Sequence, residues 1–213
     1  MGEVIRLADH RQARRPAPRQ RRIRVEFLFE LACPFTYLAA ERVERAFDDV
    51  TWTPASSTAL RIGSLASDEA ALEGVRSAAE QRARELRLPL VWPESWPADV
   101  PAAMRVASYA AECGRGAAFV LAAGRLAFCG GFDLDDPEIL AEAAAAAGLA
   151  LDDCLEAAGD AARDGATEQA GRALLAAGAD RLPALRVGRA LYWGERRVAE
   201  ALTAAKLARV AHA

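Results

Sequence analysis

Cys33 stands immediately ahead of Pro34, Phe35 and Thr36, and it is here that residue type and spacing point most directly to thiol chemistry. Proline is favoured as the first residue of a helix, so Cys33 falls at or near an N-cap. Unpaired backbone N–H groups and the positive end of the helix dipole favour an anion there. The anion would be a thiolate: free cysteine titrates near ~8.5, and helix N-terminal cysteines fall to roughly 3.5 to 7.5. The expectation is therefore a Cys33 largely ionised at neutral pH. The plain alternative is a small apolar residue filling a strand end. Thr36 can donate a hydrogen bond to a thiolate, but it cannot resolve a mixed disulfide as a second cysteine would. A dithiol cycle within this motif is excluded.

Other chemistries find less support. His10 and His212 lie in the two tails, so neither a Cys-His nor a Ser-His-Asp arrangement is expected. Cys113, Cys129 and Cys154 have no paired ligand spacing and read as packed thiols, so no metal is expected. Gly130-Gly131 lacks the lysine of a phosphate loop. Trp92, Trp96 and Trp193 either wall an aromatic pocket or pack their neighbouring loops onto a core. Tyr37, one turn into the helix after Cys33, faces either the cleft or the sheet.

The elements that must position Cys33 follow from periodicity. Ile23, Val25, Phe27 and Phe29 alternate, with Leu28 and Leu31 adding apolar character, which predicts a strand over 23–30 buried on both faces. From Pro34, Leu38, Ala39, Val43, Ala46 and Phe47 recur at helical spacing, and a short strand follows at Val50–Thr53, stopped by Pro54. Strand, helix, strand at this spacing is a parallel unit. Strand signals then vanish, and helices are predicted over 66–86, 101–112, 117–128, 137–147, 151–158 and 167–177. They return at 182–187 and 190–193, joined by Gly188-Arg189 as a hairpin, before a last helix over 195–210. Two outer blocks thus build one sheet around a helical middle.

Composition bounds the partners. Residues 1–24 carry eight arginines against Glu3 and Asp9, about +6, which leaves −9 on the remainder of a chain of net charge −3. An acidic body argues against nucleic acid, and the arginine-rich arm reads as a disordered basic leader over 1–22. The arm has no apolar stretch of a signal peptide, and the best apolar run, Gly116 to Gly124, ends at Arg125, too short for a bilayer. The expectation is a cytoplasmic protein with reduced cysteines and no membrane partner.

The order of these features resembles a DsbA-like thioredoxin fold, in detail closest to 2-hydroxychromene-2-carboxylate isomerases and kappa-class glutathione transferases. The motifs are Cys33-Pro34-Phe35-Thr36-Tyr37-Leu38, Leu88-Pro89 with Trp92-Pro93 and Trp96-Pro97, Asp133 to Leu140, Leu182-Pro183, and Tyr192-Trp193-Gly194. The fold class implied is α/β, a thioredoxin-like domain over 23–62 and 181–213 with an inserted all-helical domain over 63–180. The resemblance makes Pro183 the cis-proline of the fold and gives Leu182 the task of offering its backbone to an extended thiol peptide. Cys33 and Thr36 become the catalytic pair, with Pro34, Phe35, Leu182, Pro183, Glu195 and Arg196 around the cosubstrate thiol, and Tyr37, Trp92, Trp96 and Asp99 around the substrate.

Departures from the family pattern are specific. Cys33 stands where serine commonly holds the thiolate, Arg196 stands in the slot of an aspartate that holds the thiol peptide's amino group, with Glu195 one place earlier, and Asp99 follows Ala98 where Asn-Thr is usual. The implied cosubstrate is glutathione or another low-molecular-weight thiol, with no metal. The implied function is a thiol-dependent isomerase or transferase acting on an electrophilic, aromatic small molecule. The alternatives are a monothiol disulfide oxidoreductase using Cys33 and a non-catalytic thioredoxin-like binding module. Family members imply a homodimer through the helical region.

Overall fold

The computed structural model describes residues 24–60 and 69–211. The basic leader, both histidines and the first residues of the helix expected from 66 lie outside the described residues. Strand β1 (Val25–Phe29) leads through a tight turn into α1 (Pro34–Ala46), and β2 (Val50–Pro54) follows. Next come α2 (Glu69–Leu86), α3 (Pro101–Glu112), α4 (Gly116–Phe128), α5 (Pro137–Ala146), α6 (Leu151–Gly159) and α7 (Asp164–Ala176). The chain closes with β3 (Ala184–Val187), β4 (Ala190–Trp193) and α8 (Glu195–Ala211). The sheet order is β2-β1-β3-β4, with β1 parallel to β2 and antiparallel to β3, and β3 antiparallel to β4.

The alternation in β1 sorts its side chains between two cores. Val25, Phe27 and Phe29 enter the larger cluster with Leu38, Val43, Phe119, Phe128 and Val198, while Leu28 turns to the other face and packs with Leu60, Leu174, Leu182 and Ala184. Phe27 is fully buried and meets Trp52 edge-on at 5.0 Å between ring centroids. Side chains of this size each contribute about 1.5–3 kcal/mol on leaving water. The larger cluster runs without a break from the sheet through α1 into α3, α4 and α5, so the inserted helices share their core with the sheet.

Most element boundaries fall within two residues of expectation, and two of the shifts have a clear local cause. α7 starts at Asp164 because a 3₁₀ turn over Ala161–Arg163, capped by the Asp160 carboxylate accepting from the Ala162 amide, runs straight into it. β3 starts at Ala184 because Pro183 has no N–H for the ladder. The hairpin forms as expected around Gly188, whose φ of 61° suits glycine.

α7 also fixes the loop after β2. The Ser56 amide donates to the Thr167 carbonyl at 3.0 Å, and a Cβ placed on Gly171 would lie 2.4 Å from the Ser56 carbonyl oxygen. Only glycine permits that approach. Among the described residues no helix is long and apolar enough to cross a membrane.

Candidate active site

The first turn of α1 lies at the end of the sheet where β1 finishes and β3 begins. Cys33 is the N-cap, with extended backbone at φ −89° and ψ 115°, and Pro34 begins the helix. The Leu182–Pro183 peptide bond is cis, and it brings the Leu182 carbonyl beside the sulfur. Cys33 Sγ donates to that carbonyl at 3.8 Å, a weak thiol hydrogen bond joining residues 149 apart in sequence. The Gly194 amide in turn donates to the Pro183 carbonyl at 2.8 Å, so the end of β4 supports the proline.

This geometry corrects the expected ionisation of Cys33. Part of the residue reaches the surface, yet its sulfur is enclosed, and burial pushes the thiol up to about 11. The Thr36 amide, the Phe35 amide and the Thr36 hydroxyl draw it down, and the Glu30 charge adds to the rise. The helix N-terminus does favour the thiolate, but the cost of removing the charge from water is larger. Cys33 is thus a neutral thiol at physiological pH. Its alkylation by iodoacetamide, followed by mass spectrometry, should climb about tenfold per pH unit through the neutral range and level off only near 11. A plateau already reached by about pH 8 would restore the ionised thiolate.

Thr36 is 2% exposed, and its Oγ1 is buried without a hydrogen-bond partner. The hydroxyl lies close enough to Cys33 to act on its titration, though outside hydrogen-bond geometry. A buried hydroxyl left unpartnered beside a thiol is a donor open to a ligand atom.

The expected substrate residues divide. Trp96 is buried, and its Nε1 donates to the Ala32 carbonyl at 3.0 Å, which anchors the turn just before Cys33. Trp92 tilts against Trp96 at 4.5 Å, donates Nε1 to Glu80 and shares the Arg76 guanidinium stacked over both rings. A narrow cleft with room for about one water opens beside this turn. Leu31, Ala32, Trp96, Phe128, Phe132 and Leu134 supply its apolar wall, with Asp133 and Asp135 also on its lining. Trp92 supports this wall from behind, and Tyr37 is directed elsewhere. The Tyr37 hydroxyl donates to the Pro89 carbonyl at 2.8 Å and accepts from Cys129 Sγ at 3.0 Å, and its ring stacks on Phe128. Asp99 is exposed and acts electrostatically on Glu30.

Two residues expected to hold the cosubstrate have other partners. Glu195 is 4% exposed, and its carboxylate accepts from Arg42 on α1 and from Arg82 Nε on α2 at 2.6 Å. Its oxygens serve a clamp between α8, α1 and α2, which replaces the expected contact with an amino group. Arg196 is largely exposed, 3.9 Å from Glu85. Phe35 is half-buried against the core, and only its amide acts on Cys33.

Glu30 and Ser57 were not foreseen. Glu30 closes the apolar run of β1, and the one usable signal was an acidic residue at the end of an otherwise buried strand, three positions before the cysteine. Phe132 gave no periodic signal because it sits in the loop between α4 and α5. Among the described residues no cluster of histidine, cysteine, aspartate and glutamate is arranged to hold a metal.

Comparison with known proteins matches the DsbA-like thioredoxin domain model over residues 24–205. No curated protein matches the sequence. Among solved structures, a 2-hydroxychromene-2-carboxylate isomerase aligns at 17% identity and a TM-score of 0.71, covering 88% of this chain and 95% of that one. A probable DsbA oxidoreductase from Streptomyces coelicolor aligns at 24% identity and a TM-score of 0.66, covering 86% and 89%. Likenesses at this identity show a shared fold.

Proposed function

The chain belongs to the DsbA-like thioredoxin domain family, and on that footing we propose that it is a thiol-dependent isomerase or transferase of the 2-hydroxychromene-2-carboxylate isomerase type. Its substrate is an electrophilic, aromatic small molecule, and its cosubstrate is glutathione or another low-molecular-weight thiol.

The observation that carries this reading is the placement of the Cys33 S–H, which donates to the Leu182 carbonyl beside Pro183 with the unpartnered Thr36 hydroxyl three residues on; burial, which pushes the thiol up, agrees with it. A thiol held neutral beside Leu182 and Pro183 has a proton to donate and little nucleophilic thiolate to offer. It can therefore do for a bound thiolate what a serine hydroxyl would do. The Thr36 hydroxyl is a second donor without a present partner, and the positive end of α1 favours the bound anion. The absence of a cysteine at position 36 supports the same reading, since no residue of the motif can resolve a mixed disulfide.

The chemistry then belongs to the cosubstrate. Its thiolate adds to a conjugated double bond, which leaves a single bond free to rotate, and elimination of the thiolate restores conjugation in the other isomer. The apolar wall of Trp96, Phe128, Phe132 and Leu134 offers an aromatic body a face to lie against once the narrow cleft beside it widens.

The test offers the protein 2-hydroxychromene-2-carboxylate with glutathione, with cysteine, and with no thiol, and follows the absorbance change of isomerisation. Turnover should depend on the thiol and be absent without it. A stable glutathione adduct on Cys33, accompanied by thiol–disulfide exchange and no isomerisation, would replace this reading with the monothiol oxidoreductase. Neither turnover nor an adduct would leave the binding module.

A further inference from the structure

A second cavity, of about 400 Å³, opens at the far end of α1 from Cys33 and is of a size that holds a ligand. Thirteen helical residues separate the two places, about 20 Å along the axis. Phe47, Val50 and Trp52 give the cavity an apolar side, and Glu44, Asp48 and Asp49 give it a charged one. These three are the only ionisable residues among its described lining, so its side chains carry one sign of charge. The backbone adds to that sign. α1 ends here at Phe47 and α3 ends at Cys113, just before the lining residue Gly114, and each brings the negative end of its dipole. The start of α4 at Gly116 brings one positive end, which two negative ends and three carboxylates outweigh. A cavity of this kind fits a cation carried on an apolar stem, and an arginine side chain is both.

The chain itself supplies arginines at this place. β1 and β2 run parallel, and Val25 pairs with Val50, which lines the cavity. The Arg24 carbonyl accepts from the Gly188 amide at 2.8 Å, which fixes the backbone where it enters β1. Whatever precedes Arg24 therefore arrives one strand spacing, about 4.8 Å, from the cavity's Val50, with Asp49 next to it. Residues 1–23 carry seven arginines against Glu3 and Asp9, while the body after Arg24 is acidic. Arg21 and Arg22 stand four and three residues before Val25. At no more than about 3.6 Å per residue, their Cα atoms lie within roughly 14 Å of it. Position along the chain and sign of charge thus agree.

We propose that this cavity is the docking site of the chain's own basic leader, with Arg21 and Arg22 seated against Glu44, Asp48 and Asp49. The leader then acts as a strap that ties the start of β1 to the ends of α1 and α3, at the pole of the fold opposite the thiol. Single ion pairs near a surface hold little. Several act together here, and the covalent tether keeps the arginines at high local concentration beside the cavity. The attachment is electrostatic and reversible, so salt weakens it. It requires no cosubstrate and is independent of the reaction at Cys33.

The test uses the full chain and two measurements. Trypsin at low salt, followed by mass spectrometry, reads cleavage after Arg19 in wild type and in Asp48→Asn/Asp49→Asn. The variant should be cut about tenfold faster, the scale on which two or three ion pairs act together, while cleavage within residues 24–205 stays unchanged, which separates release of the leader from misfolding. Raising the salt to about 0.5 M should bring wild type to the rate of the variant. The second measurement locates the leader. Arg21→Lys/Arg22→Lys keeps both charges in a chain whose one other lysine is Lys206. A zero-length carbodiimide should couple the new amines chiefly to Glu44, Asp48 or Asp49. An unchanged rate after Arg19 in Asp48→Asn/Asp49→Asn overturns the proposal, and so does coupling chiefly to carboxylates outside the cavity. Coupling between isotope-labelled and unlabelled copies in a mixture also overturns it, by making the occupant a second molecule.

Discussion

Replacing Glu195 by alanine should destabilise the protein by about 3 kcal/mol, which at this chain length lowers the melting temperature by about 10 °C. The reason lies in the two arginines that would remain. Arg42 has its guanidinium pushed below the usual arginine range by burial, with Arg82 adding repulsion and Glu195 offsetting both. Arg82 is raised, chiefly by its hydrogen bond with Glu195. Their side chains are 26% and 18% exposed, so water screens them only in part. Removing the carboxylate leaves two cations facing each other, and Arg42 Nε already lacks a partner. The clamp also joins α8 to α1 and α2, so its loss loosens the helix that carries Cys33 at its start. Glu195→Gln keeps an acceptor for the arginines and should fall between alanine and wild type. Chemical denaturation measures this directly: a lower midpoint at unchanged slope is the expected result. A midpoint indistinguishable from wild type would show the clamp to be dispensable.

The same residue marks the limit of what can be read from sequence. Local signals sufficed where the cause was local. The alternation of Val25, Phe27 and Phe29, the proline at the start of α1 and the Gly188 turn each specify backbone through neighbours a few residues away. Glu195 was legible as an acidic residue after a glycine, but its partners lie 153 and 113 residues distant, and only the packing of three helices brings them together. Cys33 illustrates the point for chemistry. Its place at a helix N-terminus was plain, yet the sign of its shift was decided by enclosure, to which Leu182 contributes from 149 residues away. Desolvation is a property of the assembled site, and no spacing rule carries it. Glu30 escaped notice for the converse reason. In sequence it is one polar residue in an apolar stretch, and the rise in its carboxyl's proton affinity comes chiefly from burial that only the fold brings about.

Cys33→Ala should lower kcat for the thiol-dependent reaction by about 100- to 1,000-fold, the scale on which removing one preorganised donor to a developing anion acts. Cys33→Ser should stay within about tenfold of wild type. The contrast follows from the neutral thiol. With ionisation deferred to about 11, what Cys33 supplies below that pH is an S–H donor, and a serine hydroxyl supplies a donor of the same geometry that does not ionise at all. The argument fixes the pH behaviour as well. A raised thiol is in its active, protonated form throughout the neutral range and loses that form only as pH approaches about 11, so wild type and Cys33→Ser should share one kcat profile up to mildly alkaline pH. They should separate above it, where wild type turns negative at the sulfur and repels the bound thiolate while the serine variant does not. A covalent role demands the opposite order: Cys33→Ser would be as inactive as Cys33→Ala, and wild-type rates would rise with thiolate formation. Steady-state rates of the three proteins across that pH range therefore decide whether Cys33 gives a proton or a bond.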